Sequence, residues 1–199
     1  VPYGCFRRSL FDKVGYFDEE LVRNQDDEHN GRIIRAGGRI VLLPQVTIRY
    51  HARDRIAKLW RMYREYGLFK PLVNLKLGSP ATLRQFVPPL FVLGLFGVPV
   101  LGALVSVLYM SGSDALLKLA GVLHWANVAL AGMVLLYVLL LLIVSLRLVV
   151  RKGRIRAFAW VVAAFGTVHV AYGVGYWQGL LRFVLLRRRI SPEEVRTNR

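Results

Sequence analysis

The chain is short of cysteine, of acids and of repetition. Its one cysteine, Cys5, excludes an intrachain disulfide, and no Cys–His cluster has zinc-ligand spacing. Twelve Asp and Glu stand against 28 Lys and Arg, for a formal charge of +16. Only three of the acids, Asp114, Glu193 and Glu194, lie beyond residue 80. So basic a chain invites a nucleic-acid reading, but its basic clusters flank long apolar runs. That arrangement suits anionic lipid headgroups and positive-inside anchoring, so membrane lipids replace nucleic acid as the expected partner. No internal repeat and no low-complexity stretch is visible.

Apolar sequence is what the chain has in excess. Hydrophobic residues make up 55% of it and the mean hydropathy is +0.41, both high for a soluble domain. Residues 87–110 carry no charge over 24 positions, more than the roughly 20 that cross a bilayer. Residues 126–146 form a second such segment, with 115–125 as an apolar lead-in. Residues 157–181 form a third, richer in Gly and aromatics. Three crossings from a cytoplasmic start would leave Arg187, Arg188 and Arg189 outside, against the positive-inside rule. Either the tail is an exception, or 157–181 folds back on itself at Gly166, Gly173, Gly175 and Gly179. Three crossings is the reading taken.

The first 53 residues read as α/β. Arg7 to Val14 has helical periodicity and stops at Gly15. Asp26 to Ala36 predicts a second helix, with Asn24 or Gln25 at its cap and Gly37-Gly38 past its end. Arg39 to Leu43 and Val46 to Tyr50 predict two short strands interrupted at Pro44. Residues 54–80 differ. Ile56, Leu59, Trp60 and Tyr63 share a helical face with Arg55, Lys58, Arg61 and Arg64 around it, the pattern of an interfacial amphipathic helix over Asp54 to Tyr66. Residues 81–199 hold the apolar segments and a basic tail.

Acids in a first helical turn complement the helix dipole, which explains Asp26, Asp27 and Glu28 without any chemistry. A resemblance changes the weight. Gly4-Cys5-Phe6-Arg7-Arg8, Val14-Gly15-Tyr16-Phe17-Asp18-Glu19 and Gln25-Asp26-Asp27-Glu28-His29-Asn30-Gly31-Arg32 occur in consistent order, followed by Ala36-Gly37-Gly38-Arg39-Ile40. This resembles the C-terminal half of a family-two glycosyltransferase, closest to the membrane-bound branch with the succinoglycan-type glucosyltransferases. It covers about the first 70 residues.

The resemblance implies a partial GT-A domain, α/β in class and lacking its nucleotide-binding half, followed by a helical membrane domain. It also implies an Asp base within a Glu-Asp pair. Here Gln25-Asp26 occupies that place, so the role rests on Asp26. An inverting transfer needs a carboxylate to take the acceptor hydroxyl's proton during in-line attack. Gln25, Asp27, Phe17, Asp18 and Glu19 are the expected substrate contacts, and Arg53, Arg61 and Arg64 are candidates for a diphosphate. His51 is a weak metal candidate. Asp27 and Glu28 are also read as dipole partners or contacts to a basic neighbour, and Arg32 as structural or paired with an acid. His169, Tyr172, Tyr176 and Trp177 are read as packing within an apolar segment.

The expected partners are a nucleotide sugar, a polyprenyl-diphosphate-linked acceptor and membrane lipids, with a divalent Mg or Mn ion serving the full-length enzyme. The expected location is a bacterial inner membrane, with the soluble part cytoplasmic. The first residue is Val and no Asp-x-Asp occurs, so the chain is expected to be a C-terminal part that does not turn over alone. Two other classes stay open: a non-catalytic anchoring module and a small transporter. The central parts of the first two apolar segments lack ionisable residues, which counts against a transporter. No Gln-x-x-Arg-Trp signature of a processive synthase is present.

Overall fold

The computed structural model describes residues 4–49, 53–80, 82–111, 113–188 and 190. Every element among them is helical: α1 Arg8–Val14, α2 Gln25–Arg35, α3 Ile56–Leu77, α4 Val87–Tyr109, α5 Asp114–Arg151 and α6 Phe158–Gly179. Short 3-10 turns precede α4 and α6, and a π-helical turn, Leu180–Leu185, ends α6. Two compact units result, one within Val1–Arg84 and Val174–Arg199, the other Gln85–Gly173.

The α/β expectation for the soluble part, and with it the GT-A fold, is overturned. Residues 38–43 and 46–49 have no regular secondary structure and form no ladder among the described residues; a backbone bond from Val46 N–H to Leu43 O closes the turn at Pro44. A β-branched run marks a surface that suits a sheet, and without a neighbouring strand the hydrogen bonds go unmade. The apolar side chains there stay in solvent, Val41 at 73% and Leu42 at 84% exposure.

In the first unit, α2 ends as its glycines require. Gly37 takes φ 77°, its N–H reaches Ile34 O, and the Gly38 N–H reaches Ile33 O, closing a Schellman motif. The core is small, with Leu21, Val73 and Leu77 nearly or fully buried. Helix α3 runs eleven residues past Tyr66, through Pro71. Its first nine residues bury nothing; burial begins at Glu65. There α3 meets residues 174–185 at close range. A Cβ on Gly175 would overlap the carbonyl of Arg64, and one on Gly179 that of Leu68. These two glycines are spaced as small residues are when helix backbones touch. They do not bend α6, which is unbroken from Phe158 to Gly179, so no fold-back occurs.

In the second unit, α5 pairs with α4 along its first part, where Gly94 faces Val134 and Gly102 faces Asn127. Tyr137 marks the handover to α6: its ring stacks on Phe91 at 3.8 Å and meets His169 edge-on at 5.5 Å. Three helical stretches, Leu83–Tyr109, Asp114–Arg151 and Ile155–Leu185, are long and apolar enough to cross a membrane, which fits a membrane protein. The apolar lead-in at 115–125 belongs to α5 itself. At 38 residues, α5 is roughly 57 Å long, nearly twice a bilayer's hydrocarbon thickness.

Candidate functional site

The site is built where α2 meets α3. Asn24 precedes α2 in the left-handed region, φ 63°, and makes no side-chain cap. Its amide instead donates to the Tyr66 carbonyl at 2.9 Å. A non-glycine residue held at positive φ needs such a fixed partner, and this bond supplies it. Beside it, Arg23 Nε donates to Glu65 at 3.0 Å and Arg61 Nε donates to the same carboxylate at 3.1 Å. Lys70, nearly buried on α3, reaches Asp27 on α2. Four residues of the α2 start region, 23, 24, 26 and 27, thus lie on or beside a band of polar ties to α3.

The three consecutive acids do different things. Asp27 is the partner of Lys70. Glu28 is buried and receives Arg32 in a two-pronged pair, Nε to Oε1 at 2.7 Å and a terminal nitrogen to Oε2 at 2.9 Å. The same guanidinium donates to the carbonyls of Val14 and Tyr16, so Arg32 fastens the loop before α2 rather than facing a substrate. Asp26 is exposed at the surface.

The remaining expected contacts scatter. The Gln25 amide donates to the Leu21 carbonyl, a local tie. Phe17 packs on His29 with ring centroids 4.5 Å apart. Asp18 accepts the Glu20 N–H at 2.9 Å and pairs with Lys76 at 2.6 Å. Burial alone would pull the Lys76 ammonium down, but the hydrogen bonds it donates to Asp18 and Glu20 outweigh it and hold the group above the usual lysine value. Glu19 and Arg53 are exposed. Asp54 accepts from Lys58 at 2.9 Å, which keeps its carboxyl below the usual range. Arg64 donates to Gln178 at 3.3 Å. The structure therefore gathers Asp26, Asp27 and Arg61 around one junction and leaves Phe17, Asp18 and Arg53 in other contacts. Tyr50 and His51 lie outside the described residues.

Three residues of the site carry no motif, Arg23, Glu65 and Lys70; Asn24 was expected only as a cap, and the fully buried His29 lies within a motif but was given no role. The His29 ring sits among Phe6, Phe11 and Phe17, with Nε2 3.2 Å from the Gly15 carbonyl. A charge beside Pro71 on the packed side of an apolar stretch was the available signal for Lys70. Among the described residues no three His, Cys, Asp or Glu side chains come together as a metal ion requires.

The chain is distantly related to the succinoglycan biosynthesis protein ExoA of Rhizobium meliloti (strain 1021). It is 30% identical to that protein over 86 residues, 43% of this chain and 26% of ExoA. The chain thus spans about a quarter of the relative it matches. No protein-family model matches it, and no solved structure does.

Proposed function

We propose that the chain forms part of an inverting hexosyltransferase of bacterial exopolysaccharide synthesis, with Asp26 as general base. The observation that carries this is the fate of three neighbouring acids in a chain related to a succinoglycan biosynthesis protein. Lys70 pairs with Asp27 and Arg32 with the buried Glu28, and Asp26 is the residue of the three that is exposed, at the start of α2. An exposed carboxylate on a fixed helix start can approach an acceptor hydroxyl within hydrogen-bond reach and take its proton as the oxygen attacks the anomeric carbon.

The donor is a nucleotide sugar, UDP-glucose being the first to test, and the acceptor a polyprenyl-diphosphate-linked oligosaccharide. Arg61 engages Glu65 only through Nε, and its side chain is 75% exposed. On this reading its terminal nitrogens pair with diphosphate oxygens, as a guanidinium fork can. A divalent ion at the donor diphosphate would find no set of three ligands among the described residues, so no step is assigned to one. On this reading the soluble part faces the cytoplasm of a bacterial inner membrane. The exposed first half of α3, with Ile56 and Trp60 on its surface, rests at the bilayer interface beside the lipid-linked acceptor. On this reading the 199 residues alone do not turn over.

The test is transfer of radiolabelled UDP-glucose to a membrane lipid extract, by the chain joined to a donor-binding half from a relative. Transfer that falls at least about 100-fold in Asp26→Asn establishes the enzyme and its base. Equal transfer by both proteins removes Asp26 from the mechanism. Transfer by neither, with other nucleotide sugars also inactive, favours a membrane anchoring module.

A further inference from the structure

The turn between α5 and α6 holds a feature the proposed reaction does not use. Arg147, Arg151, Lys152, Arg154 and Arg156 are all exposed there, and none makes an ion pair or side-chain hydrogen bond among the described residues. The unit Gln85–Gly173 contains one acid, Asp114, at the opposite end of the 38-residue α5. Nothing within the unit neutralises these five charges.

The turn is a built structure. Gly153 takes φ 63°, its N–H bonds to Val150 O at 3.0 Å, and the Arg154 N–H reaches Val149 O at 2.8 Å. This closes a Schellman motif that fixes the direction in which the chain leaves α5. Residues Gly153, Arg154, Ile155, Arg156 and Ala157 line an open depression of about 400 Å³. Helix α6 starts directly behind it, adding the partial positive charge of a helix N-terminus to that of the side chains.

The surroundings of the turn identify the kind of anion. Val150, Ile155 and Trp160 are 62%, 57% and 71% exposed, and Val144 and Leu146 are about half exposed one to two turns earlier. Apolar side chains exposed up to the cations, with a Trp beside them, match the boundary between acyl chains and headgroups. A free anion would meet the charges but leave the apolar flank in water.

We propose that this turn is a binding site for the headgroup of an anionic phospholipid, with Arg151, Lys152, Arg154 and Arg156 around its phosphate and the acyl chains lying along Val150, Ile155 and Trp160. The proposal is independent of the transferase reading. Recognition is electrostatic and therefore selects lipids of net negative charge over zwitterionic ones.

The experiment titrates the purified 199-residue chain, in a mild neutral detergent, with phosphatidylglycerol, phosphatidylcholine or inorganic phosphate, reading bound lipid by native mass spectrometry. Phosphatidylglycerol should bind well ahead of phosphatidylcholine, and millimolar phosphate should not displace it. Each cation beside an anionic headgroup is worth about fivefold in affinity. The quadruple variant R151Q/K152Q/R154Q/R156Q should therefore lose at least about tenfold. R151K/R154K/R156K should retain binding, which also shows that the turn still folds when substituted. Retention by the quadruple variant within about twofold overturns the proposal, as does equal binding of phosphatidylcholine. Displacement by phosphate alone would mean a free-anion site and overturns it too.

Discussion

Two groups of cations on this chain behave oppositely. At the α2–α3 junction Arg23, Arg61, Lys70 and, within α2, Arg32 each hold a carboxylate, and three of those four pairs involve Glu28 or Glu65, which are buried. At the α5–α6 turn five cations are exposed, and none pairs with an acid among the described residues. Most of the first group is architecture: Arg23, Arg32 and Lys70 hold a loop and two helices in register, while Arg61 ties only along α3 and is 75% exposed. The second contributes nothing to internal packing, so its charges are available to something outside the chain. Whether a charge has a buried partner is what separates the roles, and each group predicts a different response to substitution.

The largest effect is expected at Arg32. Replacing it with Met strands Glu28, whose side chain is 5% exposed, and removes donors from two loop carbonyls. Stranding a buried charge costs about 3–5 kcal/mol, and partial solvent access at Arg32 puts this case near about 3 kcal/mol. Thermal and urea unfolding in detergent should show it. Glu28→Gln added to Arg32→Met should recover part of the loss, because the buried charge is gone. Arg32→Lys should recover little, since an ammonium cannot bridge both carboxylate oxygens. A loss below about 1 kcal/mol for Arg32→Met would move this pair into the class of surface charges.

Next comes an asymmetry inside the Asp27–Lys70 pair. The lysine side chain is 11% exposed and the aspartate 41%. Removing the aspartate's charge leaves an ammonium buried without an ionised partner, whereas removing the lysine's leaves a carboxylate that water can reach. Asp27→Asn should therefore destabilise by about 2 kcal/mol and Lys70→Met by about 1 kcal/mol. The reverse order would show that Lys70, not Asp27, reaches solvent. If Asp26 is the base, both variants should also lower transfer through its position, and Lys70→Arg should restore more of it than Lys70→Met.

The legibility of these features divides along physical lines. Local signals were readable: the stop of α2 at Gly37-Gly38, the three apolar helices, and the acids of the first turn. The strands were misread because Arg39 to Tyr50 advertises a fit to a sheet, and a sheet requires a neighbour that local sequence cannot supply. Helix α3 was read too short. Pro71 looks like a terminator, yet one lost hydrogen bond inside a 22-residue packed helix is tolerated here. Gly175 and Gly179 were visible and were read as a bend, although their four-residue spacing equally describes close helix packing. The ties of Arg23 to Glu65, Asn24 to Tyr66 and Asp27 to Lys70 span 42 or 43 residues each. One sequence carries no pairing information over such a distance, and that is why the band around Asp26 emerged only from the fold.

A smaller effect is expected at Lys76, and it depends on pH. Burial pulls its pKa down, but the hydrogen bonds it donates to Asp18 and Glu20 together raise it in the folded protein above the ordinary 10.5. A raised folded value means the ammonium is favoured by folding. The stabilisation is fully present below about pH 10.5 and disappears as pH rises through the folded pKa. Glu20 is largely exposed, and solvent screening keeps the contribution below about 1 kcal/mol. Wild type should lose that much as pH rises above about 10.5, relative to Lys76→Met. Parallel curves over this range would mean that the Lys76 contacts are not held in solution.

The smallest stability effect belongs to the other side of the comparison, and its smallness is what it tests. Arg151→Gln and Arg154→Gln remove exposed charges with no partner among the described residues, so each should change unfolding stability by no more than about 0.5 kcal/mol. Relief of repulsion among neighbouring cations would make the change slightly favourable. The same two variants should nevertheless weaken phosphatidylglycerol binding, while Arg32→Met should weaken folding and leave any lipid bound by the folded fraction unaffected. A stability loss above about 1 kcal/mol at either turn position would mean that these cations do have internal work, and the division between paired and unpaired charge would then fail at the place where it is clearest.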